Sequence, residues 1–333
     1  MKPDTATDQL SDPMNFIAKT IGNELHDINS SNTQLIQTTV QQSIQPLLKN
    51  ISSFKRFKGC YALVGCVEKT DKLGKTYWII QLSDISTVLN IYCFNMNEFM
   101  MQLQVNTIVH IEATLKYIDV QQYVRCAFIQ TVSYEASKKF LDINAIASCY
   151  CPIPMLLTRL NILIDRIKSN HLKQFLSHVL VNSEVGINYL QCPASLRHHH
   201  NYAGGLVEHS IDVAERVIKD SSFSNAERDV AIIASLIHDI GKTKTLAPNG
   251  TRTSLGMVVD HDELTLEICA QALQRLDDKE PQSAMLLRHV LTCASPGSRY
   301  GYQAITSIAS TLQAADKQSA DEHYSSTSFA QIA

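Results

Sequence analysis

The sequence predicts an α+β multidomain protein: an N-terminal amphipathic helix, then a small β-barrel, then an all-α domain. Two observations carry this reading. Short β-rich runs separated by turn residues fill positions 54–135, and beyond 140 the apolar spacing becomes helical almost to the end. The length supports it, since 333 residues at about 150 per domain make two domains.

Residues 1–52 are rich in Gln, Asn, Ser and Thr, yet Leu35, Ile36, Val40, Ile44, Leu47 and Leu48 fall on one helical face. The reading is a polar tail followed by one amphipathic helix. Its apolar side packs on its own chain or, in a homo-oligomer, on a second copy.

Between 53 and 136 five β-rich runs follow, at 61–68, 76–82, 88–94, 107–117 and 122–134. DKLGK at 71–75 and the stretch 118–121 supply turn chemistry between neighbours, and EFMMQL at 98–103 is helix-compatible. Five strands with a helix between the third and fourth resemble an OB fold, whose open face commonly takes single strands. Aromatics interleave with cations there: Tyr61, Tyr77, Trp78, Tyr92 and Phe94 beside Lys72, Lys75 and Arg125. These are the expected nucleic-acid-binding residues, rings to stack bases and cations to meet phosphates.

From 140 to 325 helices are expected near 153–169, 172–181, 205–219, 226–241, 262–276, 282–292 and 302–320. Four polar residues interrupt their apolar stripes. His209 shares a stripe with Leu206 and Val213, His238 and Asp239 end the run AIIASLIHDIG, and Asp316 continues Ile305, Ile308 and Leu312. Each therefore points toward a core. A buried carboxylate without a partner costs several kcal/mol, and no Lys or Arg lies on those stripes. Imidazoles and carboxylates converging from separate helices are how bundles build metal sites, and this donor mix suits a divalent ion. Gly241 is expected to close the HD-bearing helix in a left-handed cap.

Composition narrows the class. A net charge of −3 with 45% hydrophobic and 18% charged residues is that of an ordinary globular chain, not of a strongly basic nucleic-acid binder. No apolar run is long enough to cross a bilayer, and the first residues lack the signature of an export signal, so a cytoplasmic protein with no membrane association is expected. Nine cysteines, scattered and without a C-x-x-C pair, read as reduced thiols.

PASLRHHHNYAGGLVEHS at 193–210, LIHDIGK at 236–242 and LQAADKQSADE at 312–322 together resemble the HD phosphohydrolase superfamily. With the barrel in front, the arrangement is most similar to the YhaM-type 3′→5′ exoribonucleases. The resemblance implies a metal-dependent phosphodiesterase acting on single-stranded RNA or DNA, with RNA favoured and a 3′→5′ exonuclease most expected. It implies that His209, His238, Asp239 and Asp316 ligate one ion, Mn²⁺ before Mg²⁺, Fe²⁺, Co²⁺ or Zn²⁺. Asp239 would bridge to a second ion completed by His261 and His289. Many relatives carry a His pair just after the position of His289, where this chain reads Ala294-Ser295, so a second site rests on His261 and His289.

Such ions supply an activated water as nucleophile. Lys242 is expected to reach a substrate phosphate or to oppose the helix C-terminus. One of the triplet His198, His199 and His200, with His199 and His200 foremost, is expected to protonate the leaving oxygen or to pack behind the ligands. Two further readings stand beside this one. PASLRHHH with GGLVEHS also resembles the TraI/MOBH histidine relaxases, which nick DNA. The third is a nonenzymatic nucleic-acid-binding adaptor.

Overall fold

Alternating apolar residues become the lining of a closed five-stranded barrel. In the computed structural model, which describes residues 45–94, 103–118, 120–132, 141–181, 183–198, 200–294, 297–299 and 301–330, its strands are β1 (Arg56–Thr70), β2 (Thr76–Ser83), β3 (Val88–Cys93), β4 (Thr107–Ile118) and β5 (Gln121–Thr131). The order around the barrel is β1-β2-β3-β5-β4, returning to β1. All pairings are antiparallel except β3 with β5, which run parallel and meet at Tyr92 and Arg125. The predicted turn is present: Asp71 Oδ1 accepts the N–H groups of Leu73 and Lys75 at 2.9 and 2.8 Å, holding the β1–β2 hairpin shut. Leu63, Ile80, Leu82, Ile91, Val109 and Ile111 fill the interior without measurable exposure. Of the tail and amphipathic helix expected within 1–52, residues 1–44 lie outside the described residues, as do 98–102 of the helix-compatible stretch 98–103; where the first is described, Leu47 is extended and Leu48 opens a 3₁₀ helix, so no α-helix runs through them.

A short 3₁₀ helix, Leu48–Ser53, lies against the barrel, with Leu48 and Ile51 in its core. Asp84, fully buried after β2, ties several pieces together. Its Oδ2 accepts the Leu48 N–H at 2.7 Å, and its Oδ1 accepts from the Ser86 N–H at 2.8 Å. The carbonyl of Asp84 takes the Ser148 N–H, and the Ile85 N–H donates to Asn144. Both carboxylate oxygens of the buried Asp84 thus have partners, and backbone hydrogen bonds join the 84–85 segment of the barrel to residues 144 and 148.

The helical part comprises α1 (Pro154–Arg166), α2 (Asn170–Leu180), α3 (Ser183–Gln191), α4 (Gly205–Val217), α5 (Asn225–Ile237), the one-turn α6 (Lys242–Thr245), α7 (His261–Lys279), α8 (Pro281–Thr292) and α9 (Ser307–Ala330). Starts follow local chemistry. Pro154 and Pro281 occupy first positions, and Ser224 with Glu227 forms a full capping box on α5. Helix α5 is the hub, buried from Asp229 through Ile237, with α4 and α9 packed beside it.

Two expectations need correction. Helix α3 was not among the predicted helices, and the left-handed cap at Gly241 is absent. Gly241 has φ −60° and ψ −23°, ordinary right-handed values. A β-carbon there would lie 1.9 Å from the carbonyl oxygen of His261, so glycine is required because α7 abuts this turn, not because the backbone turns left.

Candidate metal centre

Three helices bring four donors together. Helix α4 presents His209 from its buried stripe, α5 ends just before His238 and Asp239, and α9 presents Asp316. Ligand atoms of His209, His238 and Asp239 all lie within 4.8 Å of one another. His209 Nε2 is 3.0 Å from Asp316 Oδ1 and 3.7 Å from Asp239 Oδ2, and His238 Nε2 is 3.5 Å from Asp239 Oδ2 and 3.7 Å from Asp316 Oδ1. Asp316 is less enclosed than its sequence stripe implied, with a side chain 45% exposed, which opens the centre on that side.

Ring orientation is set from behind. His238 Nδ1 lies 2.9 Å from the Ser235 carbonyl, which can only accept, so Nδ1 carries the proton and Nε2 faces the centre. His209 Nδ1 meets Ser319 Oγ at 3.2 Å, one helical turn beyond Asp316 on α9. The buried His238 Nε2 makes no hydrogen bond. A buried imidazole nitrogen without a hydrogen bond, facing two carboxylates and a second imidazole, fits a divalent cation that accepts nitrogen and oxygen donors.

The two oxygens of Asp239 face different ways. Oδ2 faces His209, His238 and the Lys242 ammonium, the last at 2.5 Å, whereas Oδ1 lies 3.3 Å from His261 Nε2. Burial disfavours the charged carboxylate, but Lys242 and then His238 outweigh it and hold the Asp239 carboxyl well below the ordinary range. Burial likewise works against a charged His238, yet Asp239 and Asp316 raise it to about 9. For His209 burial prevails and lowers its pKa, favouring the neutral ring a metal needs. Asp316 is driven low, against burial, by the imidazole of His209 at 3.0 Å and then by that of His238 facing it at 3.7 Å.

His261 opens α7, with Nδ1 2.8 Å from Asp260 Oδ1 and a side chain 28% exposed. Thr265, one turn on, accepts the Gly241 N–H at 3.2 Å and lies 3.3 Å from the His238 carbonyl, fastening α7 to the HD turn. His289 stands apart from this set: its Nε2 accepts the Ile305 N–H at 3.2 Å.

The remaining sequence candidates divide. Lys242 pairs with Asp239, supplying the cation that the apolar stripes lacked. His200 is buried, with no side-chain exposure and Nε2 3.3 Å from Asp212 Oδ2, so the role of proton donor to a leaving oxygen is withdrawn. His199 lies outside the described residues. Tyr61 is likewise corrected. It is fully buried, edge-on to Phe57, and its hydroxyl donates to the Pro46 carbonyl at 2.7 Å, so no base can stack on it. Trp78 is half-buried against the barrel core.

The other barrel candidates do share a surface. Tyr77 and Phe94 stack at 5.8 Å, Tyr92 and Tyr123 meet edge-on at 6.1 Å, and the Arg125 guanidinium lies 6.0 Å from the Phe94 ring centre. Lys72 and Lys75 are exposed in the adjoining hairpin turn. Sequence reasoning missed Arg159, Asp212, Thr265 and Ser319. None stands out by motif, although Asp212 and Ser319 each lie one turn past a named ligand.

Comparison with known proteins agrees with this geometry. Residues 206–321 match the HD domain family. The chain is 33% identical over 98 residues to a dihydroneopterin 2′,3′-cyclic phosphate phosphodiesterase of Methanocaldococcus jannaschii, covering 25% of this chain and 39% of that protein. It is 30% identical over 110 residues to the 3′-5′ exoribonuclease YhaM of Listeria welshimeri, covering 31% and 34%, and 24% identical over 148 residues to that of Bacillus pumilus, covering 42% and 45%. The chain thus spans less than half the length of these curated relatives. None of the helices among the described residues is long and apolar enough to cross a membrane. With its ligand cluster assembled from the matched helices, the segment 206–321 of this chain is an HD domain.

Proposed function

We propose that this protein is a metal-dependent phosphodiesterase that trims single-stranded nucleic acid from its 3′ end, RNA in preference to DNA. The observation that carries the reading is the convergence of His209, His238 and Asp239 donor atoms within 4.8 Å, with Asp316 beside them. The described relatives include two 3′-5′ exoribonucleases and a cyclic phosphate phosphodiesterase, and all three cleave phosphate esters, as their names state.

In this proposal His209, His238, Asp239 and Asp316 hold the first ion, Mn²⁺ foremost, with Mg²⁺, Fe²⁺, Co²⁺ and Zn²⁺ as alternatives. Asp239 Oδ1 and His261 serve a second, which His289, now accepting the Ile305 N–H, would complete. A bound divalent ion supplies a water of lowered pKa and offsets charge on the phosphoryl oxygens. Asp239 and Asp316 remain ionised to keep the centre anionic, and the Ser235 carbonyl keeps His238 Nε2 aimed inward. Lys242 places an ammonium beside the centre, poised to meet phosphate charge once Asp239 turns to metal. The barrel, taken as 53–136, presents Tyr77, Phe94, Tyr92 and Arg125 to successive bases and phosphates, and delivers the strand to the helical domain, taken as 140–325. The nine cysteines, none in a disulfide, support a reducing, cytoplasmic setting.

The test is incubation with 3′- and 5′-labelled single-stranded RNA and DNA in Mn²⁺ or Mg²⁺. Immediate release of the 3′ label, with stepwise shortening of the 5′-labelled strand, is expected, and Asp239→Ala should abolish it while leaving helicity intact. Nicking of a supercoiled plasmid at one site, with linear oligomers untouched, would point to a relaxase. Tight binding with no cleavage in any metal would point to an adaptor.

A further inference from the structure

The metal reading leaves His200 without a task, yet the chain holds it in a costly conformation. Its φ of +50° lies in the left-handed region, which non-glycine residues enter only when their surroundings force them there. Here the surroundings do so. The His200 carbonyl accepts the Ala194 N–H at 3.0 Å, and a β-carbon at Gly205 would stand 2.0 Å from that carbonyl oxygen. Only a glycine opening α4 lets the strained loop seat against the helix that carries His209.

The ring is fixed as firmly as the backbone. Its Nε2 lies 3.3 Å from Asp212 Oδ2, and Asp212 Oδ1 accepts from Arg159 Nη2 at 2.6 Å. Arg159 is anchored in turn on Glu215, with Nε at 3.0 Å and Nη2 at 2.6 Å from its two carboxylate oxygens. Two of these residues come from α4 and one from α1. The ring lies beside Tyr202, at 6.0 Å between ring centres and 45°, and closer to His209, at 5.4 Å and 57°. A ring needed only as filler would not require a carboxylate and a guanidinium to set its plane.

We infer that His200 is a positioning residue for His209: its imidazole, locked by Asp212 and Arg159, buttresses the ligand ring and pre-organises the metal centre from outside the matched HD segment. The inference rests on the metal reading proposed above. Removal of groups that orient a ligand typically weakens metal binding by about 10- to 100-fold, and that is the expected size of the effect.

The test is titration of the full-length protein with Co²⁺, followed by visible absorption, for the parent, His200→Gly and Asp212→Asn. Glycine at 200 accepts the left-handed backbone, so the variant loses the ring without adding strain. Asp212→Asn keeps the shape and weakens the lock on the ring, and it decides the matter should His200→Gly fail to fold. Both variants should bind Co²⁺ about 10- to 100-fold more weakly, with a displaced absorption band, while metal-free circular dichroism matches the parent. Unchanged affinity and spectrum in both variants would overturn the inference and leave the metal reading standing. A parent that binds no Co²⁺ would overturn the reading itself, and the inference with it.

Discussion

Gly241 and the carbonyl oxygen of His261 are packed so closely that a single added methyl group on the glycine would stand 1.9 Å from that oxygen. This contact sets the distance between the HD turn and α7, and hence the approach of His261 to Asp239. Gly241→Ala must push α7 away, at a cost of about 1–3 kcal/mol from overpacking. A lowered thermal midpoint is expected, together with loss of any second metal equivalent before the first. A variant as stable as the parent and with the same metal stoichiometry would show that the contact relaxes freely.

Metal affinity should rise with pH across the neutral range. In the metal-free protein His238 titrates at about 9 because Asp239 and Asp316 outweigh its burial, so binding must displace a proton at any lower pH. Affinity for Mn²⁺ should therefore increase by up to about tenfold per pH unit between 7 and 9 and then level off. The sign for folding is the opposite. A raised histidine pKa stabilises the metal-free protein fully below its unfolded value near 6.5, and that contribution fades as pH rises through about 9. Calorimetric titration in buffers of different ionisation enthalpy will count the proton released.

Lys242 holds Asp239 in the absence of metal, with 2.5 Å between Nζ and Oδ2. Replacing it by methionine keeps much of the volume but leaves a buried carboxylate short of its strongest cation, so the metal-free protein should lose about 1–3 kcal/mol. Because bound metal can replace that cation, the gap between metal-free and metal-loaded melting temperatures should widen. An unchanged gap would mean that the ammonium contributes nothing to Asp239.

Barrel substitutions should separate stability from binding. Tyr61→Ala empties a fully buried site and should cost about 3–5 kcal/mol. Phe94→Ala and Arg125→Ala, on the outer face, should leave the melting temperature nearly unchanged but weaken single-stranded RNA binding about 5- to 10-fold each. Anisotropy titrations beside melting curves will decide. Equal affinity in the face variants would remove nucleic acid as the ligand of that surface.

The sequence was most legible where periodicity and chemistry pointed the same way. Alternation located the strands, and polar residues interrupting apolar stripes located His209, His238, Asp239 and Asp316. Tyr61 was misread because β1 is covered on both faces: Cys60, Tyr61, Ala62 and Leu63 are all buried in succession, and alternation cannot say which side of such a strand is open. Helix α3 escaped because SEVGINYLQ carries Gly and β-branched residues with low helix propensity, and tertiary packing overrides it. Lys242 and His200 were found by motif, but their pairings with Asp239 and Asp212 were not. An ion pair three residues apart, or a carboxylate reached across a loop, depends on how the turn after α5 and the loop before α4 fold, and spacing alone is silent on that.

Arg159 has a consequence for modular exchange. It belongs to α1, ahead of the 206–321 segment, yet its guanidinium grips Asp212 and Glu215 on that segment's first helix. A chimera that swaps residues 206–321 alone for another HD domain would sever this grip unless the incoming helix offers equivalent carboxylates. The smallest transplantable piece therefore begins at or before Pro154, and the barrel, whose 84–86 loop is stitched to residues 144 and 148 just upstream, shares its border with that piece.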